Sequence, residues 1–271
     1  MPTPLSVRRS QEKRTSARGQ SVANDPEQIV AALVCPPPMW DTPAQCGKRA
    51  IMTTKPVLVG QYDSPFVRRV AVVLHYYGVA FERRVLSTFA DFDAMLELGP
   101  LGKVPVLVLA NGEHLWDSRA ILDFLHGQAS QERLLLPREE PGRRQVLRVE
   151  AVALGLAEKA YERGLEFARR AAGTQDPVWV ARLERQIASA LAWLEARRPA
   201  PFLCVPAFNV ADVTAAVAFT YIREKWPQLV RSGAYPALEM HRAACEAMPA
   251  FQAAPYSATE AARSGWRPEA V

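Results

Sequence analysis

The sequence predicts an α/β domain followed by an all-helical domain. Between residues 55 and 129, short apolar runs alternate with amphipathic stretches in the order βαβ, then α, then ββα. From about residue 140 to residue 260 the apolar residues recur at helical spacing, and no further strand pattern follows. The 271 residues, 49% of them apolar, suffice for two such domains.

The α/β domain begins with a strand, a loop and a helix. The apolar run 57–59 predicts the strand, and residues 60–63 predict the loop. Ser64 and Pro65 then supply a helix cap and a proline at the first helical position. The apolar face of this helix continues up to Gly78, and glycine is typical of a helix end.

The rest of this domain adds three strands and two helices. Asn111 and Gly112 predict the hairpin turn between the last two strands, and Asp117 and Ser118 cap the final helix. A parallel pair extended by an antiparallel hairpin is the arrangement of a thioredoxin-like domain. The other predicted elements are strands at 81–86, 104–109 and 114–116 and a helix at 89–98.

The second domain is predicted to be a helical bundle that follows a polar linker. One helix begins with Asp176 and Pro177 as its cap and first residue. Asn209 and Asp212 resemble a capping box, in which each side chain bonds the backbone N–H of the other residue. Helices are expected at about 143–170, 177–197, 210–226 and 236–248.

The first 54 residues differ from both domains. Seven of the 22 prolines lie there, and only the short apolar run 29–34 suggests a helical turn. We expect a disordered extension that is not part of the working protein, because regular structure begins just after Met52, where translation could start. A chain that begins there should keep its melting temperature. An organellar presequence is the alternative, weakened by the early prolines and by Asp25 and Glu27.

The net charge of +5 does not indicate binding to nucleic acid. Seven basic and four acidic side chains lie in the first 54 residues, so the two domains are close to neutral. Modules that bind nucleic acid instead concentrate Lys and Arg on one face. No apolar run approaches the roughly 20 residues that a membrane-spanning helix needs.

The four cysteines and four histidines show no spacing of the zinc or redox kind. An apolar signal segment is not found at the N-terminus either. We therefore expect a cytoplasmic protein that holds no metal.

Four segments carry a resemblance to a known family. They are Tyr-Asp-Ser-Pro-Phe-Val-Arg-Arg-Val (62–70), Pro-Leu-Gly-Lys-Val-Pro-Val-Leu (100–107), Asp-Ser-Arg-Ala-Ile-Leu (117–122) and the capping box at 209–212. In this order they resemble the cytosolic glutathione transferases, in the serine-type form of plant tau-type and some bacterial members. Gly99 departs from the Asn that the family usually has before Pro100.

The resemblance covers residues 56 to about 256, and it implies an enzyme of detoxification. Glutathione would be the co-substrate, and the enzyme would transfer it to a small electrophilic substrate. The resemblance also implies a homodimer, with the thioredoxin-like domain of one subunit against the helical domain of the other.

Ser64 is the expected catalytic residue. By resemblance, its hydroxyl activates the thiol of glutathione, and a helix N-terminus favours an anionic sulfur. Lowering a thiol pKa of about 8.5 by about two units requires about 2.7 kcal/mol. One hydrogen bond to a charged acceptor contributes about 1.5 to 3 kcal/mol and the helix terminus roughly 0.3 to 2 kcal/mol, which suffices. A helix cap without further function is the alternative.

The resemblance assigns four further residues to the binding of glutathione. Asp117 would contact the γ-glutamyl ammonium, and Ser118 with its amide would take the carboxylate, although both could be simple caps. Val104 would bond the backbone of the cysteinyl part and precede a cis Pro105. Lys103 would pair with the glycyl carboxylate, unless it is a solvated loop lysine.

Three aromatic residues have two interpretations each. Phe66 is counted among the substrate-binding residues, where it would line the second-substrate pocket, but it also fits the apolar core face of its helix. Tyr62 could compete with Ser64 as the hydroxyl donor. Tyr161 could face the active-site cleft or pack inside the helical domain.

Other activities of the same fold are open at this point. A dithiol oxidoreductase is excluded, because Ser64 stands where such an enzyme needs a cysteine. A glutathione-dependent isomerase or dehalogenase would use the same thiolate. A non-catalytic binding or regulatory protein would keep the pocket without turnover.

Overall fold

A computed structural model of the chain describes residues 55–197, 202–231 and 233–263. The predictions for residues 1–54, namely the extension, the turn at 29–34 and the start at Met52, lie outside the described residues. In the described part, four strands and nine α-helices follow in the predicted order, except near the C-terminus.

Four short strands form one mixed sheet. They are β1 (Val57–Val59), β2 (Glu82–Arg84), β3 (Val106–Val108) and β4 (His114–Trp116). Their spatial order is β2-β1-β3-β4, with β1 parallel to β2 and both other pairs antiparallel. Leu58 in the middle of β1 lies opposite Arg83 and Leu107. The predicted thioredoxin-like arrangement is therefore confirmed, with β2 and β3 shorter than their apolar patterns.

Three helices complete the α/β domain. They are α1 (Pro65–Tyr77), α2 (Phe92–Leu98) and α3 (Ser118–Gln128). α1 ends at Gly78, whose φ of 72° lies in the left-handed region that glycine adopts at little cost. α2 begins later than predicted, because Ser87 and Asp91 close a turn in front of it: the Ser87 amide donates to Asp91 Oδ2 over 2.8 Å.

The helical domain is arranged around one buried helix. Its members are α4 (Gly142–Arg169), α5 (Pro177–Glu195), α6 (Val210–Lys225), α7 (Pro236–Glu246), α8 (Pro249–Gln252) and α9 (Ala258–Arg263). α6 packs against α1, α4 and α7 and is buried on almost every side. Such burial explains why its apolar residues form no single stripe.

The capping box at the start of α6 is confirmed. The Asn209 side chain accepts from the backbone N–H of Asp212, and Asp212 Oδ2 accepts from the Asn209 amide at 3.0 Å. Asn209 Oδ1 also accepts from the Ala211 amide at 3.0 Å. Asp212 Oδ1 also accepts from the Leu203 amide at 2.9 Å, which ties the preceding loop to the helix. Burial raises the pKa of Asp212 to about 7, and these hydrogen bonds oppose the shift.

The C-terminal part differs from the prediction of one helix over 236–248. α7 ends at Glu246, and Met248 adopts extended backbone with ψ of 142° before Pro249 starts α8. A residue before proline is pushed away from helical geometry, so the chain turns there. α9 follows a loop and was not predicted, because its six residues offer too short a pattern.

Two buried arginines of α1 join the domains. Arg68 donates from Nε to the Ala254 carbonyl over 2.8 Å, and its two terminal nitrogens reach the carboxylate of Glu246 at 2.8 and 2.5 Å. Arg69 forms an ion pair with Glu150 of α4. Removing one partner of such a pair strands a buried charge, so these contacts fix how α1 sits on the helical domain.

Candidate active site

One cavity of about 570 Å³ lies where the α/β and helical domains meet. Its α/β side includes the loop before α1 with the first residues of α1, residues 88–89 after β2, the loop before β3 and the start of α3. Its helical side consists of residues of α4 and α6. All of the site residues predicted from the sequence are part of its wall, namely Ser64, Phe66, Lys103, Val104, Asp117 and Ser118.

Ser64 is half-buried in the cavity wall and caps α1. Its backbone is extended, with φ of −75° and ψ of 122°, and Pro65 occupies the first helical position as predicted. The Ser64 hydroxyl oxygen accepts from the Val67 amide over a long 3.4 Å. An oxygen that accepts keeps its own proton to donate, and the N-terminus of α1 adds positive potential at the same place.

Asp117 and Ser118 both lie at the start of α3 but make different contacts. Asp117 is the cap: it accepts from the Arg119 amide at 2.7 Å, and its φ of 68° is in the left-handed region, which Asp tolerates better than most residues. Ser118 is buried, and its hydroxyl oxygen accepts from Arg69 Nη1 at 3.2 Å. A carboxylate and a hydroxyl therefore meet side by side on the cavity wall.

The guanidinium of Arg69 lies behind Ser118. Burial is the main influence on it and lowers its pKa, while the adjacent carboxylate of Glu150 opposes that effect. Because Arg69 donates to the Ser118 hydroxyl, its positive charge lies directly behind this part of the cavity wall. Sequence reasoning did not assign it a function, because its spacing on α1 matches a core position.

Val104, in the loop before β3, is also part of the cavity wall. The Val104–Pro105 bond is cis, as the resemblance implies. Gly60, just after β1, has a φ of 133° and no side chain, so Val104 and α1 can both approach its backbone closely. A Cβ at this position would lie 2.5 Å from Val67 Cγ2 and 3.1 Å from Val104. Lys103 is exposed at the edge of the cavity, and no ion pair of its side chain occurs in the part of the chain that the structure describes.

The helical wall is apolar or aromatic apart from three charged residues, Glu158, Glu162 and Lys225. Phe66 is half-buried and meets Tyr161 of α4 edge to face, with ring centroids 6.3 Å apart. Leu154 and Leu165 extend this surface along α4. Tyr161 therefore lines the cavity rather than the interior of the bundle. Phe66 also lines the cavity, while it remains packed on the apolar side of α1.

A buried ion pair in the wall was missed by sequence reasoning. Lys225 at the end of α6 donates from Nζ to Asp63 Oδ2 over 2.9 Å, and both side chains are nearly inaccessible. Tyr221, one turn earlier, also lines the cavity, and burial followed by the charge of Asp63 raises its pKa. Asp63 directly precedes Ser64, but its partner is 162 residues away, so no local pattern could reveal the pair.

Tyr62 is not part of this cavity. Its ring is buried beneath the Arg83 guanidinium, 3.3 Å from the ring centroid, and it lines a separate depression with Tyr256 and Glu260. Burial raises the pKa of its hydroxyl. The interpretation of Tyr62 as a competing hydroxyl donor is therefore wrong for the structure described.

The described residues contain no cluster of three His, Cys, Asp or Glu side chains that could hold a metal ion. Cys204 and Cys245 are free thiols, and burial raises their pKa values to about 11 and about 12. In the same ranges, no helix is long and apolar enough to span a membrane.

Comparison with known families and curated proteins gives one consistent result. A family model described as the N-terminal domain of glutathione S-transferase matches residues 58–133. The uncharacterised GST-like protein YibF of Escherichia coli (strain K12) is 32% identical over 165 residues, which is 61% of this chain and 81% of that protein.

Solved structures extend the similarity over both domains. A glutathione transferase family member from Pseudomonas fluorescens Pf-5 with bound glutathione is 31% identical, with a TM-score of 0.68, and the match covers 75% of this chain and 100% of the other. A glutathione S-transferase from Methylobacillus flagellatus KT with glutathione bound is 27% identical, with a TM-score of 0.70 and the same coverage.

Proposed function

We propose that this chain, which belongs to the glutathione S-transferase family, binds glutathione in the cavity and activates its thiol through Ser64. The thiolate then attacks an electrophilic small molecule. The observation that carries the proposal is the hydroxyl of Ser64, which is half-buried in the cavity at the start of α1 with its proton left to donate. Conjugation of this kind would serve detoxification.

The wall of the α/β domain supports a defined orientation of glutathione. The ammonium of the γ-glutamyl part would face the carboxylate of Asp117. The γ-glutamyl carboxylate would face Ser118, behind which the Arg69 guanidinium adds positive charge. Val104 would offer its backbone to the cysteinyl part, and Lys103 would meet the glycyl carboxylate. Each charged end of the tripeptide then faces a group of opposite charge or a hydrogen-bond donor.

Ser64 would act on the sulfur. The thiol releases its proton to solvent, and the Ser64 hydroxyl donates to the thiolate that remains. Because this hydrogen bond is stronger to a charged sulfur than to a neutral thiol, it lowers the thiol pKa and enlarges the reactive fraction at neutral pH. The sulfur then forms a bond to the electrophilic carbon of the second substrate. In a substitution, the bond from that carbon to a leaving group such as halide breaks and the halide departs with the electron pair; in an epoxide, a carbon–oxygen bond breaks and the oxygen takes a proton from solvent.

The helical wall supports an apolar second substrate. Tyr161, Leu154 and Leu165 of α4, together with Phe66 of α1, form a surface on which an apolar or aromatic electrophile would be desolvated. An isomerase would use the same thiolate and release both its product and free glutathione. A dehalogenase would expel halide from its substrate, as conjugation of an aryl halide also does, but its product would not retain glutathione.

Two measurements test the proposal. Purified protein should be retained on immobilised glutathione and released by free glutathione, and it should conjugate chlorodinitrobenzene. Retention without turnover, on this reagent and on a panel of halides, epoxides and isomerisable substrates, would instead favour the non-catalytic binder. If the protein shows neither retention on glutathione nor turnover of any of these substrates, the proposal is wrong.

We also propose a homodimer. Phe92, Leu96 and Leu101 are exposed apolar side chains around Gly102 on the α/β domain, and Leu101 is 69% exposed. Sedimentation at micromolar protein should show a species of twice the 30.0 kDa chain, and Leu101→Glu should shift it toward the single chain. A single-chain species alone in the native protein would reject the dimer.

A further inference from the structure

The loop in front of Ser64 is held from outside the cavity. Gln61 donates from its side-chain nitrogen to the backbone carbonyl of Glu260 in α9. The next residue, Tyr62, donates its backbone N–H to Glu260 Oε2 over 2.7 Å. Asp63 is the acceptor in the ion pair with Lys225. Three consecutive residues before Ser64 are therefore each bonded to the helical domain.

The position of this loop determines where Ser64 stands. The Ser64 amide donates to the Gln61 carbonyl at 3.1 Å, which closes a tight turn from 61 to 64. Gly60, just before the turn, is tied to β2 by its amide, which donates to the Arg84 carbonyl at 3.0 Å. A displacement of Gln61 or Tyr62 would therefore move Ser64, because the hydrogen bond across the turn holds these residues at a fixed distance from one another.

The carboxylate of Glu260 is itself fixed. Arg83 on β2 donates from one terminal nitrogen to both of its oxygens, each at 3.0 Å. The Glu260 side chain is only 17% exposed. A carboxylate held in this way presents a rigid acceptor to the Tyr62 amide.

We propose that Glu260 is a positioning residue for Ser64, acting through the turn from 61 to 64. Its side chain does not line the cavity, and it belongs to the separate depression with Tyr62 and Arg83. Any effect of its substitution on the sulfur of bound glutathione therefore passes through the loop. This inference rests on the proposed activation of the thiol by Ser64.

The experiment titrates the thiolate absorbance of glutathione bound to four proteins: native, Glu260→Ala, Ser64→Ala and the double variant. Glu260→Ala should raise the pKa of the bound thiol by about half a unit to one unit and lower kcat/KM at neutral pH roughly three- to ten-fold. In the Ser64→Ala background the same change should have no further effect on the thiol pKa, because the hydroxyl through which it acts is gone.

Two variants separate positioning from mere stability. Glu260→Gln keeps an oxygen that can accept from the Tyr62 amide, so its thiol titration should stay close to native. Thr259→Ala, on the same short helix, should leave the titration unchanged. If Glu260→Ala does not fold, Glu260→Asp, which draws the carboxylate back by one methylene, should shift the titration in the same direction.

The outcomes distinguish this inference from the proposed function. If Ser64→Ala raises the pKa of the bound thiol while Glu260→Ala, or Glu260→Asp in its place, changes only the melting temperature, the positioning role is wrong and the function of Ser64 stands. If Ser64→Ala itself leaves the titration unchanged, the activation by Ser64 is wrong.

Discussion

Two helices of the α/β domain, α1 and α3, both begin at the cavity and both carry a serine there, yet their hydroxyls are used differently. Ser64 is half-buried, and the Val67 amide that it accepts from is 3.4 Å away. Ser118 is buried, and a guanidinium donates to its oxygen at 3.2 Å. The cap of α3 is instead Asp117, with a bond of 2.7 Å.

The difference separates a loosely engaged hydroxyl from a fixed one. A long contact within its own helix leaves Ser64 free to turn toward a ligand atom whose charge changes during the reaction. Ser118, held by Arg69 and next to a capping carboxylate, suits a part of the ligand whose charge stays constant. We therefore expect substitutions at the start of α1 to change the chemistry and substitutions at the start of α3 to change binding.

The largest effect is expected for Ser64→Ala. Loss of the hydroxyl removes a hydrogen bond that matters mainly when the sulfur is charged, so the pKa of bound glutathione should rise by about one to two units. Activity at neutral pH should fall roughly ten- to hundred-fold and partly recover as the pH rises, while affinity changes little. The thiolate absorbance of the bound complex, titrated with pH, measures the shift.

A second serine serves as the control for this change. Ser130 precedes a short 3-10 helix and makes no capping hydrogen bond, so Ser130→Ala should leave both activity and titration unaltered. If Ser64→Ala instead lowered only the melting temperature, by the equivalent of about 1 kcal/mol, Ser64 would be a helix cap and nothing more.

The next effect concerns the start of α3. Asp117→Asn keeps an oxygen for the Arg119 amide and tolerates the positive φ, but it lacks the negative charge. We expect the KM for glutathione to rise about ten-fold with kcat nearly unchanged, since the contact is made in ground and transition states alike. Steady-state kinetics at saturating second substrate measure both constants.

Asp117→Ala extends that test to the backbone. Alanine adopts a φ of 68° less readily than Asp or Asn and cannot cap the helix. This variant should show the same rise in KM together with a lower melting temperature. A lower melting temperature with an unchanged KM in both variants would assign Asp117 to capping alone.

The C-terminal ends of the same two helices predict a dependence of stability on pH. The Tyr77 hydroxyl and His126 Nδ1 lie 2.7 Å apart. Burial, followed by the charge of Arg69, lowers the pKa of His126 to about 4. The unfolded chain takes up this proton below about pH 6.5 and the folded protein does not, so the stability that neutral His126 contributes is present above that pH and is lost as the pH falls toward 4.

His126→Asn should weaken this dependence, because an amide can replace Nδ1 as partner of Tyr77 but does not titrate. Between pH 7 and pH 5.5 the variant should lose about 1 kcal/mol less than the native protein, measured by urea unfolding. Tyr77→Phe keeps the histidine and should keep the slope. Parallel pH profiles for native protein and His126→Asn would contradict the prediction.

The smallest effect is expected at the rim of the cavity. Arg119 at the start of α3 pairs with Glu158 of α4 at 2.9 Å, but both side chains are largely exposed to solvent. Glu158→Gln should change the free energy of unfolding by less than about 0.5 kcal/mol, and added salt should reduce even that difference. A loss of several kcal/mol would mean that the start of α3 is joined to α4 more strongly than this geometry indicates.

Most of the α/β wall could be predicted, since its residues stand where a loop becomes a helix. Ser64 with Pro65, and Asp117 with Ser118, occupy positions at which helix caps have strong residue preferences. The helical wall could not be predicted in the same way. Tyr161 and Tyr221 lie inside regular helices, where an aromatic residue that faces a cavity follows the same spacing as one that faces the core.

The sequence by itself determined the order of most elements, the hairpin of β3 and β4, the capping box of α6 and the helix starts at the cavity, because these depend on a few neighbouring residues. The tertiary structure alone decided that Asp63 meets Lys225, 162 residues later, that Glu260 accepts from the Tyr62 amide, 198 residues earlier, and that the ring of Tyr62 turns away from the cavity. Such contacts depend on how the α/β domain packs against the helical domain. A charged side chain prefers solvent wherever it stands in the sequence, so its neighbours in the chain do not show which distant partner it will meet when it is buried.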